Sequence, residues 1–211
     1  MVRKLRREGY IHSEALARAM RKVRREAFMP NQYVEYAYAP YSAYPIPPYT
    51  GNHTISAPNT YPLFYEPLKV KPGDSCLEVG TGSGYGAALL QELVGEEGKV
   101  VSIEANRETY DFGKKNLEDV TYTQVKVVHG DGTKGYPPDA PFDKIVVTAS
   151  YVRIPQPLKE QLARPGKLIM PVGRSHLQYL TLLEKDADGN VREEVLDSVL
   201  YVPLRGEYGY Q

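Results

Sequence analysis

The 211-residue sequence lacks several features that mark particular classes of protein. Its single cysteine, Cys76, excludes a disulfide framework and a cluster of cysteine metal ligands. No apolar run is long enough to span a bilayer, and the basic N-terminus is not followed by the apolar segment of a signal peptide. Lys plus Arg and Asp plus Glu both number 26, so no overall charge favours a nucleic-acid or membrane partner. We therefore expect a soluble protein of the reducing cytoplasm.

The first fifty residues divide into a helix and a segment rich in tyrosine and proline. Apolar residues recur at helical spacing after Ser13, a good N-cap, so we predict an amphipathic helix over residues 13–25. Nine Lys or Arg residues in 1–25 favour a solvated helix face over a nucleic-acid patch. Pro30 should end the helical segment. Residues 31–50, with six tyrosines and four prolines, should form an ordered loop that either covers the core or closes over a site.

Strand and helix patterns alternate regularly from residue 74 onwards. We predict strands at 76–79, 99–103, 124–128, 144–148 and 167–172, helices at 107–117 and 156–163, and a turn at 164–166. Residues 177–184 and 191–202 should form a closing antiparallel pair. The expected fold is a single α/β domain with a doubly wound, mainly parallel, Rossmann-like sheet. Its parts are an N-terminal helical and Tyr/Pro-rich region (1–60), an α/β core (61–175) and closing strands (176–211).

A glycine-rich turn follows the first predicted strand of the core. Glycines 80, 82 and 84 precede an apolar helix start, which predicts a tight strand-to-helix turn with backbone open to a ligand. A dinucleotide fingerprint starting at Gly80 would need glycine at position 85, where Tyr85 stands, and a Walker loop would need a lysine that this stretch lacks. The loop resembles the donor loop of S-adenosylmethionine-dependent methyltransferases. A merely structural tight turn is the alternative.

Three acidic residues stand on or directly after successive predicted strands. In a doubly wound sheet, ligands bind beyond the carboxyl ends of the strands. Glu104 follows Gly84 by 20 residues, the interval at which an acid can accept hydrogen bonds from both ribose hydroxyls. Asp131 is placed to accept from an adenine amino group, and Glu78, inside a strand, would need a cation such as the methionine amine of the donor. Each acid alone could instead be a turn or capping residue.

Motifs spread along most of the chain resemble the protein-L-isoaspartate (D-aspartate) O-methyltransferase family. The match runs from about residue 23 almost to the end and includes Thr54-Ile55-Ser56-Ala57-Pro58, the glycine loop, Gly130-Asp131-Gly132, Pro171-Val172-Gly173 and Val202-Pro203-Leu204-Arg205-Gly206. The resemblance implies methyl transfer from S-adenosyl-L-methionine to the free carboxylate of L-isoaspartyl and D-aspartyl residues in damaged proteins, giving S-adenosyl-L-homocysteine.

The resemblance also implies roles for residues. Ser56 would hold the acceptor carboxylate, and residues 53–56 would close over the donor. The expected donor-binding residues are His53, Thr54, Ile55, Ser56, Glu78, Gly80, Thr81, Gly82, Ser83, Gly84, Glu104, Asp131 and Gly132. The partners would be isoaspartyl-containing proteins and peptides. We expect no metal and no membrane partner, and the sequence favours a protein partner over nucleic acid. Three other hypotheses stay open: a relative that methylates another peptide carboxylate, a non-catalytic adaptor, and a nucleic-acid methyltransferase that uses the basic helix.

Several positions depart from the family pattern on the acceptor side. Asn52-His53 stands where Gly-Gln is usual, Asn59 replaces a histidine or tyrosine, and Ser150-Tyr151-Val152 replaces smaller residues. The glycine loop and its acids match the family. The identity of the donor is therefore better supported by the sequence than that of the acceptor.

Overall fold

The computed structural model describes residues 1–174 and 176–211, and its helices lie mainly on the two faces of one large sheet. The expected boundary between core and closing strands falls at residue 175, outside the described residues. The α-helices are α1 (Val2–Arg7), α2 (Glu14–Lys22), α3 (Thr60–Leu68), α4 (Tyr85–Val94), α5 (Arg107–Asp119) and α6 (Gln156–Glu160). Short 3-10 helices cover Arg25–Phe28, Asn31–Tyr36, Gly132–Lys134 and Pro137–Asp139.

The nine described strands form a two-stranded and a seven-stranded sheet. The small sheet pairs β1 (Tyr44–Pro45) with β2 (Thr54–Ile55) antiparallel. The large sheet contains β3 (Ser75–Val79), β4 (Lys99–Glu104), β5 (Lys126–His129), β6 (Phe142–Val147), β7 (Leu162–Arg174), β8 (Leu177–Lys185) and β9 (Val191–Val199). Its order is β5-β4-β3-β6-β7-β8-β9, parallel up to β7 and antiparallel for β8 and β9. The chain reverses direction across the sheet between β3 and β6, which is where doubly wound proteins bind ligands.

The parallel strands are apolar because both faces of the sheet are covered. Residues of β3 alternate between two buried clusters, with Cys76 in one and Leu77 in the other. Helix α4 is buried along nearly its whole length, since it lies between the sheet, α2 and α5. Burial on both sides explains why the sequence shows continuous apolar runs here rather than alternation.

The alternating α/β core and the closing antiparallel strands are confirmed, and element ends differ from the predictions by a few residues. The predicted helix over residues 156–163 ends at Glu160, and β7 begins at Leu162, so the predicted turn at 164–166 lies inside a strand. Strand β7 accommodates these residues because its pairing with β6 is irregular between Phe142 and Lys144.

The N-terminal predictions need more correction. Ser13 caps α2 by accepting a hydrogen bond from Leu16 N, as predicted, but the helix ends at Lys22 rather than at residue 25. Arg25, expected on the solvated basic face, is completely buried. The segment after Pro30 is not a continuous loop, because it forms a 3-10 helix and then strand β1.

Two helices were not predicted. Helix α1 is only six residues long, too short for its periodicity to be read. Helix α3 contains Pro62 and Pro67, which normally argue against a helix. Pro62 lies in the first turn, where a missing N–H costs nothing, whereas Pro67 lies inside the last turn of the helix, which ends at Leu68 and is followed by Lys69 in a left-handed conformation. Among the described residues, no helix is long and apolar enough to cross a bilayer.

Candidate active site

A cavity of about 610 Å³ opens at the carboxyl ends of β3, β4 and β6. Its floor is the glycine-rich turn between β3 and α4. One wall is the segment of residues 41–61, which includes β2, and the opposite wall is residues 200–205, which run back over the sheet after β9. Main-chain bonds of 2.8 Å, from Ser150 N to Val202 O and from Leu204 N to Ser150 O, attach this returning segment beside β6. Ser150, one of the positions that depart from the family pattern, therefore lies where two parts of the main chain join and shape the cavity.

The three glycines of the turn have different roles. All have positive φ, which residues with a Cβ rarely adopt. A Cβ on Gly80 would collide with Thr148 Oγ1, and one on Gly84 would lie 2.8 Å from Gly113 O. A Cβ on Gly82 would meet only Ile46 Cδ1 and Thr54 O, both at 3.9 Å. Gly80 and Gly84 are therefore needed by the fold itself, whereas Gly82 leaves bare backbone facing the cavity.

Glu78 is a buried carboxyl group on the floor of the cavity. Ser102 Oγ donates a hydrogen bond of 2.6 Å to its Oε2. Burial raises the pKa of Glu78 to about 8, and this effect outweighs the hydrogen bond from Ser102, which favours ionisation. The group is therefore protonated near neutral pH in the structure as it stands, and a cation in the cavity would favour its ionised form.

Glu104 is the last residue of β4 and lies at the edge of the cavity. Its carboxylate accepts hydrogen bonds from the two turns on either side of it. Its Oε2 accepts a hydrogen bond of 3.1 Å from Gly82 N, and its Oε1 accepts one of 3.0 Å from Asn106 N. Each oxygen keeps a further lone pair for another donor. The glycine loop and the acid at the end of the second core strand are thus in direct contact, and the hydrogen bonds of Glu104 with ribose hydroxyls stay a prediction.

The Thr54–Pro58 motif lies across the cavity from the glycine turn. His53, Thr54 and Ser56 all line the cavity, together with Asn52. His53 Nδ1 is buried without a hydrogen-bond partner among the described residues. The departure from the family pattern at Asn52-His53 therefore changes the cavity wall itself.

Three of the residues predicted to bind a donor do not line the cavity. Ile55 is buried in the core, and Gly84 packs under α5. Asp131 carries hydrogen bonds from Thr133 N (2.9 Å) and Glu207 N (2.8 Å). Burial would raise the pKa of Asp131, but these bonds outweigh it and hold the pKa below its usual value. In this conformation Asp131 caps a 3-10 helix and anchors the C-terminal segment, and its contact with adenine stays a prediction. The predicted residues that do line the cavity are His53, Thr54, Ser56, Glu78, Gly80, Thr81, Gly82, Ser83, Glu104 and Gly132.

Several cavity residues were missed by the sequence reasoning. Thr60 and Tyr61 come from the unpredicted helix α3, and Tyr201 and Arg205 from the returning segment. Tyr201 contacts Phe64 at 5.3 Å between ring centroids, so the last part of the chain packs directly against α3. The Val202–Gly206 motif could have indicated this part of the site, because it directly follows Tyr201. The sequence alone does not show that this motif packs beside the cavity.

Taken together, the sheet order, the bare turn after the first core strand and the acids on the first two core strands define a Rossmann-like class I methyltransferase. The family model described as "Protein-L-isoaspartate(D-aspartate) O-methyltransferase (PCMT)" matches residues 1–209. The chain belongs to this family of enzymes.

Individual relatives agree with the family match. A protein-L-isoaspartate O-methyltransferase of Methanopyrus kandleri is 45% identical over 212 residues, covering 100% of this chain and 92% of its own. Protein-L-isoaspartate O-methyltransferase 2 of Archaeoglobus fulgidus is 46% identical over 199 residues, covering 94% and 89%. A solved protein-L-isoaspartate O-methyltransferase superposes with a TM-score of 0.87 at 30% identity, over 99% of this chain and 67% of that one. A Plasmodium falciparum structure in complex with S-adenosyl-L-homocysteine shares the fold, with a TM-score of 0.83 at 24% identity over 97% and 96%.

Proposed function

We propose that this enzyme transfers the methyl group of S-adenosyl-L-methionine to the free carboxylate of L-isoaspartyl and D-aspartyl residues in damaged proteins, the first step of their repair. The observation that carries the proposal is that one cavity contains both Gly82 with Glu104 on one side and Ser56 on the other. A donor and a peptide carboxylate can therefore meet within it. The family match supports the same acceptor.

The residues present fit the donor. When bound, it supplies a methyl group on a positively charged sulfonium, which needs no further activation. The bare backbone at Gly82 leaves room for a ligand against the main chain. Glu104 has lone pairs for ribose hydroxyls, and Glu78 is a buried acid suited to the donor's ammonium group. His53, Thr54 and Ser56 would cover the bound donor.

The acceptor needs to be positioned rather than activated. A carboxylate with a pKa of about 4 is already ionised at neutral pH, so no general base has to remove a proton. The Ser56 hydroxyl would donate a hydrogen bond to one carboxylate oxygen and leave the other to attack the methyl carbon. Walls from α3 and the returning segment would exclude water from both charges, which strengthens their attraction.

The charges near the N-terminus favour a protein acceptor over nucleic acid. Arg6 and Arg21 both pair with Glu14, Lys22 pairs with Glu92, and Arg25 is buried. Of the nine basic residues in 1–25, these three are thus paired with a carboxylate, Arg6 and Arg21 with the same one, and a fourth is hidden from solvent. We also propose a cytoplasmic location, since the single cysteine is buried in β3 and needs no oxidising compartment.

A methyl-transfer assay with paired peptides tests the proposal. Two peptides of one sequence, one with isoaspartate and one with aspartate, are incubated with labelled donor and the enzyme. We expect label in the isoaspartyl peptide only, and a strong loss of turnover in Ser56→Ala with donor affinity nearly unchanged. Equal or reversed labelling would instead support a relative with a shifted acceptor, which the altered wall at Asn52-His53 makes the second candidate. Donor binding with no labelled peptide would support an adaptor.

A further inference from the structure

Arg25 is a buried cation with no ion-pair partner among residues 1–174 and 176–211. It begins the 3-10 helix after α2, and its side chain is completely inaccessible to solvent. The carboxylate of the next residue, Glu26, is engaged by Arg24 at 2.9 Å and by the hydroxyl of Tyr38. A buried charge destabilises a protein unless nearby groups compensate for its lost hydration, so a buried, unpaired arginine suggests a functional role.

Arg25 contacts residues that line the acceptor side of the cavity. Its Nη2 donates a hydrogen bond of 2.7 Å to the carbonyl oxygen of Ser56. The guanidinium lies over the rings of Tyr85 and Tyr61, at 5.1 and 5.8 Å from their centroids. Burial raises the pKa of Tyr61, while the charge of Arg25 opposes that rise. The Nε and Nη1 atoms have no hydrogen-bond partner among the described residues.

The charge of the cavity makes a buried cation useful there. Glu104 on its lining is acidic and Glu78 ionises when the donor's ammonium group binds, so a peptide carboxylate would enter as a further negative charge. Arg205 also lines the cavity, but its side chain is exposed at the rim and screened by water. Arg25 lies behind Ser56 and is fully shielded from solvent, where its field is much less screened.

We propose that Arg25 is a positioning residue for the acceptor, holding Ser56 through its carbonyl and stabilising a peptide carboxylate at the Ser56 hydroxyl through its buried positive charge. This inference rests on the proposed function, since it requires a carboxylate acceptor. Because Arg25 acts through Ser56, its removal should change the discrimination between a charged and a neutral acceptor, which a purely structural residue would not do.

The test uses two peptides that differ only in the charge of the acceptor group. One carries the isoaspartyl carboxylate and the other has a carboxamide in its place. Their affinities are measured by calorimetry in the presence of S-adenosyl-L-homocysteine for wild type, Arg25→Met and Arg25→Lys. We expect wild type to prefer the carboxylate, Arg25→Met to lose that preference on the order of tenfold, and Arg25→Lys to keep most of it because the charge remains. Affinity for S-adenosyl-L-homocysteine should be the same in all three.

A folded Arg25→Met enzyme with the wild-type preference would overturn the inference. Should Arg25→Met not fold, Arg25→Gln decides, because it is neutral but keeps an N–H donor for the Ser56 carbonyl, and a wild-type carboxylate preference in folded Arg25→Gln would contradict a role for the charge. Failure of the proposed function has a different signature, since wild type would then leave the isoaspartyl peptide unmethylated whatever the variants do.

Discussion

At the scale of single residues, Glu78 should link donor binding to pH. Burial raises its pKa to about 8, so the free enzyme holds a proton there at neutral pH. Pairing with the ammonium group of the donor needs the ionised form, so binding near pH 7 should release this proton. Affinity for the donor should therefore increase as pH rises towards about 8 and weaken as pH falls.

Calorimetry in buffers of different ionisation enthalpy measures the released proton. Glu78→Gln is the matched control, because it keeps the shape of the side chain and cannot ionise. It should bind the donor weakly and without the pH dependence. A wild-type affinity that is constant from about pH 6 to 8, with no proton released, would contradict this role of Glu78.

Substitutions at Gly80 and Gly82 should distinguish a glycine that the fold requires from one that ligand binding requires. Gly80 and Gly82 both have positive φ, so a side chain at either position costs about 1–2 kcal/mol in backbone strain. Gly80→Ala would in addition push against Thr148, whereas a side chain on Gly82 would project into the cavity. We expect Gly80→Ala to lower the melting temperature more than Gly82→Ala, and Gly82→Val to abolish donor binding. Normal donor affinity of Gly82→Val in calorimetry would show that the ligand lies elsewhere.

At the scale of elements, the Tyr/Pro-rich segment is fastened to α5 by one side chain. Thr109 Oγ1 donates a hydrogen bond of 2.8 Å to Pro47 O, and Thr109 also lines the cavity. Tyr44 stacks on Tyr36 at 5.5 Å between ring centroids and contacts Tyr33 at 5.3 Å, which stiffens the segment itself. The segment is thus an ordered wall with a defined anchor, as well as a cover for the core.

Removing the anchor should weaken substrate binding without unfolding the protein. Thr109→Val keeps the shape of the side chain and loses the hydroxyl, so the KM values for donor and peptide should rise by up to about tenfold. Thr109→Ser retains the hydroxyl and should stay close to wild type. Unchanged KM values in Thr109→Val would mean that this hydrogen bond does not hold the wall in place.

The elements also show what could be predicted from sequence. Strand β3, the glycine turn and α4 are specified locally, by an apolar run followed by alternating glycines and a second apolar run, and they were predicted correctly. Burial of Arg25 and the position of Tyr201 depend on contacts with segments more than thirty residues away, such as Ser56 and Phe64. Local patterns carry no information on such contacts. Helix α3 was missed because Pro62 and Pro67 both argue against a helix when only the local sequence is considered.

At the scale of the whole molecule, the chain should behave as one cooperative unit. The larger buried cluster joins residues from α1, α2, α3 and α4 to residues of β8. The returning segment links the C-terminal residues to the cavity. We therefore propose a single domain and expect one calorimetric transition in which the calorimetric and van't Hoff enthalpies agree. S-adenosyl-L-homocysteine should raise the midpoint without splitting the transition, and two separate transitions would contradict a single domain.

The most direct measurement for the central claim is a crystal structure of the enzyme with S-adenosyl-L-homocysteine and an isoaspartyl peptide. The account predicts the ligand against Gly82, ribose hydroxyls on Glu104, and the peptide carboxylate at Ser56 with Arg25 behind it. A cavity without ligand, or a Glu104 carboxylate turned to bulk solvent while the ligand binds elsewhere, would contradict it.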